Sequence, residues 1–272
     1  MGTLLRADLR RILNPHGNFL GYFIALVIFT VLTVVGAPLL VRLMAGMYSS
    51  GEADVAAGLG TTYASTLNMM TSILSFGFVG LMTCWSSCAI CFTDIRAGFE
   101  RTIVSSCGKK AYYTEKLVLA LVLSVIFVIV GGLLALLAGS LFIGGQIVSG
   151  PVSIVMWLAL SVVVSWACAC LCLAVLWILR NNTVAFLLAL TLGSGLVSGV
   201  AVMATSAMPD LAQTISSIRE WLPVGAYTVL ETVTDGELVL SGEQLAKVFV
   251  PSAVCVAAGF LTAARVLPKR DL

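Results

Sequence analysis

LVLALVLSVIFVIVGGLLALLAGSLFI, residues 117 to 143, contains no Asp, Glu, Lys, Arg or His. A helix needs about 20 apolar residues to cross a hydrocarbon layer roughly 30 Å thick, and this stretch exceeds that length. In lipid every backbone N–H and C=O has to find its partner within its own segment. A run of Leu, Val, Ile, Ala and Gly meets that demand only as a helix.

Five more windows share this composition: Phe19 to Val41, Leu67 to Phe92, Val152 to Leu179, Thr183 to Met203 and Val248 to Val266. They hold no Asp, Glu, Lys or His, and their one Arg, Arg265, stands next to the end of the last. The whole chain is 60% hydrophobic and only 10% charged, with a mean hydropathy of +1.07. A soluble fold could not cover that much apolar surface. The expected fold is therefore all-α, a single polytopic membrane domain over 1–272 with six transmembrane helices. The second, third and fourth windows exceed the minimum, so tilt or an extension beyond the membrane is expected. Basic residues precede the first window as they would a secretory signal, but a signal core runs about 7 to 15 residues. Phe19 to Val41 is longer and leads to five further spans.

Charge sets the expected orientation. With the N-terminus in the cytosol, 12 of the 15 basic residues fall inside, among them Arg6, Arg10, Arg11, Lys109, Lys110, Arg180, Lys269 and Arg270. Arg42, Arg219 and Lys247 remain outside with eight acidic residues. This is the positive-inside pattern, and it places both termini in the cytosol.

Ahead of the first span, residues 3–13 form an amphipathic pattern. Leu5, Leu9, Ile12 and Leu13 fall on one side, with Arg6, Arg10 and Arg11 mostly on the other. Such a helix lies on a membrane surface, basic face to the headgroups. A frayed basic tail that serves only topology is the alternative. Asn14, Pro15 and Gly17 then end the helix.

The segment before Leu117 reads TDIRAGFERTIVSSCGKKAYYTEK, residues 93 to 116. Ile95, Phe99 and Ile103 recur at helical spacing, Arg96, Glu100 and Arg101 fall on other faces, and Asp94 is placed to cap the start. The expected helix covers 94–108. Its short apolar stripe suits either packing on its own bundle or docking of a cytosolic partner.

An acidic-x-basic start, Gly98-Phe99-Glu100-Arg101, a small-residue break, a basic pair, Tyr113, and Lys116 leading into a span together resemble the cytosolic loop of type-2 ABC exporter permeases. Family members often carry Thr after the Gly, and Pro where this chain has Cys107-Gly108. The resemblance extends to the layout of the whole chain. It implies that Asp94, Arg96, Gly98, Phe99, Glu100, Arg101 and Ile103 form a coupling helix that contacts two copies of a separate ABC ATPase. It also implies a second permease, identical or related, a bacterial cytoplasmic membrane, and export of a hydrophobic or amphipathic cargo such as a peptide, lipid or drug, with resistance or immunity to antimicrobial peptides as one such role. ATP and magnesium would be bound by the ATPase, and nucleic acid is not an expected partner.

Residues 204–247 carry further helical patterning. Asp210 can cap a helix in which Leu211, Ile215, Ile218 and Leu222 form one stripe, with Trp221 beside it and Pro223 at its end; the apolar piece Val224 to Leu230 follows. By resemblance these are outer gate helices. A surface helix on the outer leaflet is the alternative.

The residues also limit the chemistry. A phosphate-binding loop needs Gly, four residues, then Gly-Lys and Ser or Thr, and Gly108-Lys109-Lys110 lacks both flanking requirements. Ion-coupled carriers usually place carboxylates or His in the bilayer, and the windows hold neither. A carrier that uses backbone carbonyls, or a non-transporting accessory subunit, remains as an alternative. An intramembrane protease is disfavoured because Ser194 has no membrane His to activate it; the chain's one His is His16.

Cys84, Cys88 and Cys91 share a helix face, a spacing that soft metals could use, but Cys also serves as a small apolar residue. Cys168, Cys170 and Cys172 are expected to alternate around their helix without converging, and no metal site is expected. Ser194, Gly195, Ser198 and Gly199 form small-xxx-small pairs suited to close helix approach. Asn68, Ser72, Ser75, Thr83, Ser161 and Ser165 are candidates for helix contacts or a solute pathway.

Overall fold

The computed structural model describes residues 2–13, 19–32, 65–75, 78–142, 148–193, 212–230 and 237–266. These residues are helical almost throughout. In chain order the helices are α1 (Gly2–Leu13), α2 (Phe19–Val31), α3 (Thr66–Ser75), α4 (Phe78–Arg96), α5 (Phe99–Cys107), α6 (Lys109–Phe142), α7 (Pro151–Leu179), α8 (Asn182–Gly193), α9 (Ala212–Glu220), α10 (Pro223–Leu230) and α11 (Gly242–Leu261). A π-helical turn, Thr262–Val266, continues α11.

Among the described residues four helices are long and apolar enough to cross a membrane: Phe78–Arg96, Lys109–Ala138, Pro151–Leu179 and Gly242–Arg265. Gly21–Val31 and Asn182–Leu192 are shorter apolar helices. These apolar helices suit a membrane location. The remainders of the first and fifth windows, 33–41 and 194–203, lie outside the described residues.

α7 is the hub of the bundle, packing against α4, α6, α8, α10 and α11. Its own core positions, Trp157, Leu160, Val164, Cys168, Cys172, Leu176 and Trp177, are all buried. Small residues let neighbours approach: a Cβ on Gly259 of α11 would lie 3.1 Å from Cys170 Cβ and 3.3 Å from Leu117 Cδ2. The hydroxyls of Thr83 and Ser161 donate back to the carbonyls of Val79 and Trp157 on their own helices. Both hydroxyls are buried. The cysteine expectation needs one correction. Cys168 and Cys172 are four residues apart and therefore share a face, and both are buried, as is Cys84 of α4. Among the described residues no group of side chains is arranged to hold a metal ion.

Helix ends differ from the apolar windows for local reasons. α6 has 34 residues, about 51 Å at 1.5 Å per residue, so its first two turns carry Lys109 to Lys116 beyond the apolar run. α11 begins six residues before Val248 because Ser241 and Gln244 form a capping box. Ser241 Oγ accepts from the Gln244 N–H at 3.3 Å, and Gln244 Oε1 accepts from the Ser241 N–H at 2.8 Å. At the same end, the Leu67 N–H donates to Ser149 Oγ at 3.1 Å and the Ser149 N–H donates to Thr66 Oγ1 at 3.0 Å. This reciprocal pair fixes the start of α3 to the approach of α7.

Candidate functional site

The segment 93–116 is broken where the sequence suggests one helix. α4 continues to Arg96, and the chain then turns at Ala97-Gly98, with Gly98 at φ +72°. That left-handed conformation suits glycine. α5 therefore starts at Phe99 and ends at Cys107, not at 94 and 108, and Gly98 rather than Asp94 precedes it. The stripe of Ile95, Phe99 and Ile103 is split between two helices. Ile103 and Val104 face the bundle, while Phe99, Thr102, Ser105 and Ser106 are exposed. Phe99 keeps 52% of its surface. Arg96 is exposed at the end of α4, and the Arg101 side chain lies outside the described set.

Asp94 has a different task from capping. It is fully buried, and its Oδ2 lies 2.8 Å from Lys116 Nζ. Lys116 also donates to Asp8 Oδ2 of α1, lies 3.9 Å from Glu115 Oε2 and sits 5.2 Å from the centre of the Tyr112 ring. One ammonium thus gathers carboxylates from α1, α4 and α6. Tyr112 completes the set by donating to Asp94 Oδ2 at 3.3 Å. Buried charge is tolerated when it is paired and hydrogen-bonded, and each of these groups is buried.

Neighbouring positions on a helix point about 100° apart, so Tyr113 turns toward α5 instead. Its hydroxyl donates to Glu100 Oε1, and its ring meets Trp177 of α7 edge-on at 5.1 Å. Arg180 Nη2 approaches Glu100 Oε2 at 3.8 Å. Arg180 is the left-handed C-cap of α7, with φ 50° and its N–H on Leu176 O at 2.7 Å. Glu100, which the resemblance implies belongs to the ATPase-coupling set, is buried and ties α5 to α6 and α7.

Sequence reasoning missed Asp8, Tyr112, Glu115, Trp177 and the role of Arg180. Asp8 did leave a signal: it is the one acid in a helix of basic and apolar residues, between Leu5 and Leu9 on the side that packs against the bundle.

At the other end of the bundle, α9 ends at Glu220, and Pro223 opens α10 rather than closing the first helix. Of the expected stripe, Ile218 and Leu222 are exposed, as is Trp221 beside them. α10 faces the bundle: Ala226, Tyr227, Val229 and Leu230 are buried, and Tyr227 OH lies 3.9 Å from Cys168 Sγ of α7. Leu211 and Asp210 lie outside the described residues, as do Ser194, Gly195, Ser198 and Gly199. The side chains of Ile215, Ser72 and Ser75 are likewise not described, while Asn68 is half-buried on α3.

No protein-family model, no curated protein and no solved structure matches this chain.

Proposed function

We propose that the chain is the six-span permease subunit of an ATP-driven ABC exporter, with α5 as the helix that receives the ATPase. The reading rests on the resemblance of the 93–116 segment and on one observation. α5 presents Phe99, Thr102, Ser105 and Ser106 outward while Glu100 holds its other face to α6 and α7. A short helix exposed on one side and bolted on the other is suited to passing a push from a partner into long helices. The working unit would be two permeases with two ATPase subunits in a bacterial cytoplasmic membrane, both termini in the cytosol, moving a hydrophobic or amphipathic cargo. The helix pair α9 and α10 would lie on the outer side, with α10 as the piece inserted in the bundle.

Phe99→Asp tests the docking surface. Copurification with the partner ATPase is expected to fall at least about tenfold, as for loss of a central apolar anchor, with membrane insertion unchanged. Copurification equal to that of the wild type would remove α5 as the docking element.

The second reading is an ion-driven carrier, and the buried set of Asp8, Asp94, Glu115 and Lys116 favours it, since buried ionisable groups serve as relays in such proteins. Uptake by liposomes containing the purified chain alone, under an ion gradient and without ATP, would decide for the carrier.

A further inference from the structure

About 18 Å along α11 from Gly259, at 1.5 Å per residue, Lys247 lies at the end of the bundle away from Lys116. There Arg219, Glu220, Thr228, Val229, Gln244 and Lys247 line a cavity of about 240 Å³ between α9, α10 and α11. Water occupies about 30 Å³ per molecule, so the space would hold a phosphate with its ester groups rather than one small ion.

The lining is rich in unspent donors. Arg219 Nε is buried with no hydrogen-bond partner. Lys247 Nζ holds Glu220 Oε2 and Glu243 Oε1, each at 2.7 Å, which leaves the third N–H of its ammonium. Gln244 Oε1 is taken by the Ser241 N–H, which leaves its amide NH₂. Among the acceptors, Glu220 Oε2 is held by Lys247 and the Gln244 oxygen by the Ser241 N–H. Thr228 spends its hydroxyl hydrogen on Gly225 O at 2.7 Å.

Charge-assisted donors of this kind suit a group with several anionic oxygens. Ile218, Trp221 and Leu222 stand exposed on and just after α9, and Trp favours the boundary between headgroup and acyl chain.

We propose that this cavity binds the phosphate of a phospholipid headgroup. The Arg219 guanidinium supplies the charge, since Lys247 is already matched by Glu220 and Glu243; the third Lys247 N–H and the Gln244 amide add donors, and the acyl chains lie along Ile218, Trp221 and Leu222.

Native mass spectrometry of the full chain in detergent, titrated with phosphatidylglycerol, measures the bound lipid. Arg219→Gln is expected to weaken binding about tenfold, the effect of losing one charge-assisted contact, while Arg96→Gln at the other end leaves it unchanged. Arg219→Lys keeps the charge without the fork and is expected to bind several-fold weaker. It replaces Arg219→Gln if the latter loses helicity by circular dichroism. Binding in Arg219→Gln, or in its replacement, equal to that of the wild type would overturn the site. Displacement of the lipid by millimolar inorganic phosphate would overturn the lipid as the source and leave a site for free phosphate.

Discussion

Lys116 stands at the start of an apolar helix, where sequence alone makes it one of several basic residues in a loop. Burial changes its meaning, because Asp8 and Asp94 meet around its ammonium out of water. Removing one partner of a buried pair leaves the other charge uncompensated, typically at about 3–5 kcal/mol. Lys116→Met is therefore expected to lower stability by about that amount, read as a lower melting temperature of the purified protein in detergent. Neutralising the acids as well, in Asp8→Asn with Asp94→Asn and Lys116→Met, should recover most of the loss. A Lys116→Met protein that melts like the wild type would show that these carboxylates do not depend on the ammonium. The Arg180 to Glu100 pair is longer, and Arg180 keeps 36% of its side-chain surface. Solvent screening makes it worth less, so the hydroxyl of Tyr113 is the firmer hold on Glu100.

At the scale of elements, the turns decide where helices stop. Gly98 ends the continuity that the apolar spacing of Ile95, Phe99 and Ile103 suggests, so α4 keeps Asp94 for the bundle and α5 turns away. A second turn is tighter still. A Cβ on Gly225 would lie 2.2 Å from Arg219 O and 2.7 Å from Glu220 Cα, both backbone atoms that cannot swing aside. Gly225→Ala is thus expected to separate α9 from α10, destabilising the protein by about 1–3 kcal/mol as overpacked sites do. Limited proteolysis should show faster cleavage near Trp221. Unchanged cleavage would mean that the two helices do not close on each other at this point. The capping box at Ser241 and Gln244 was legible in the sequence as a Ser three residues before a Gln. The apolar window ignored it, since hydropathy sees side chains and not caps.

For the whole molecule, topology is the property that hydropathy and charge reach most directly. Cys107 is exposed on α5, while the other seven cysteines are buried. If α5 faces the cytosol, a membrane-impermeant maleimide should label Cys107 in inverted vesicles and leave it unlabelled in intact cells; Cys107→Ser should abolish the signal. Labelling from the outside of intact cells would reverse the orientation and, with it, the proposed side of ATPase contact.

The sequence by itself determined that this chain is helical and apolar enough for a membrane, because the absence of charge over 20 or more residues is a local property. It also marked 93–116 as an amphipathic segment, since periodicity is local too. What it could not reach was the pairing of charges far apart in the chain. Asp8 and Lys116 are 108 positions apart, and Glu100 is an inward anchor only because Tyr113 and Arg180 come to it. The cavity between α9, α10 and α11 likewise exists only where Arg219 and Lys247, from two helices, are brought side by side. Spacing along one helix can say which residues share a face; only the packing of several helices decides what that face meets.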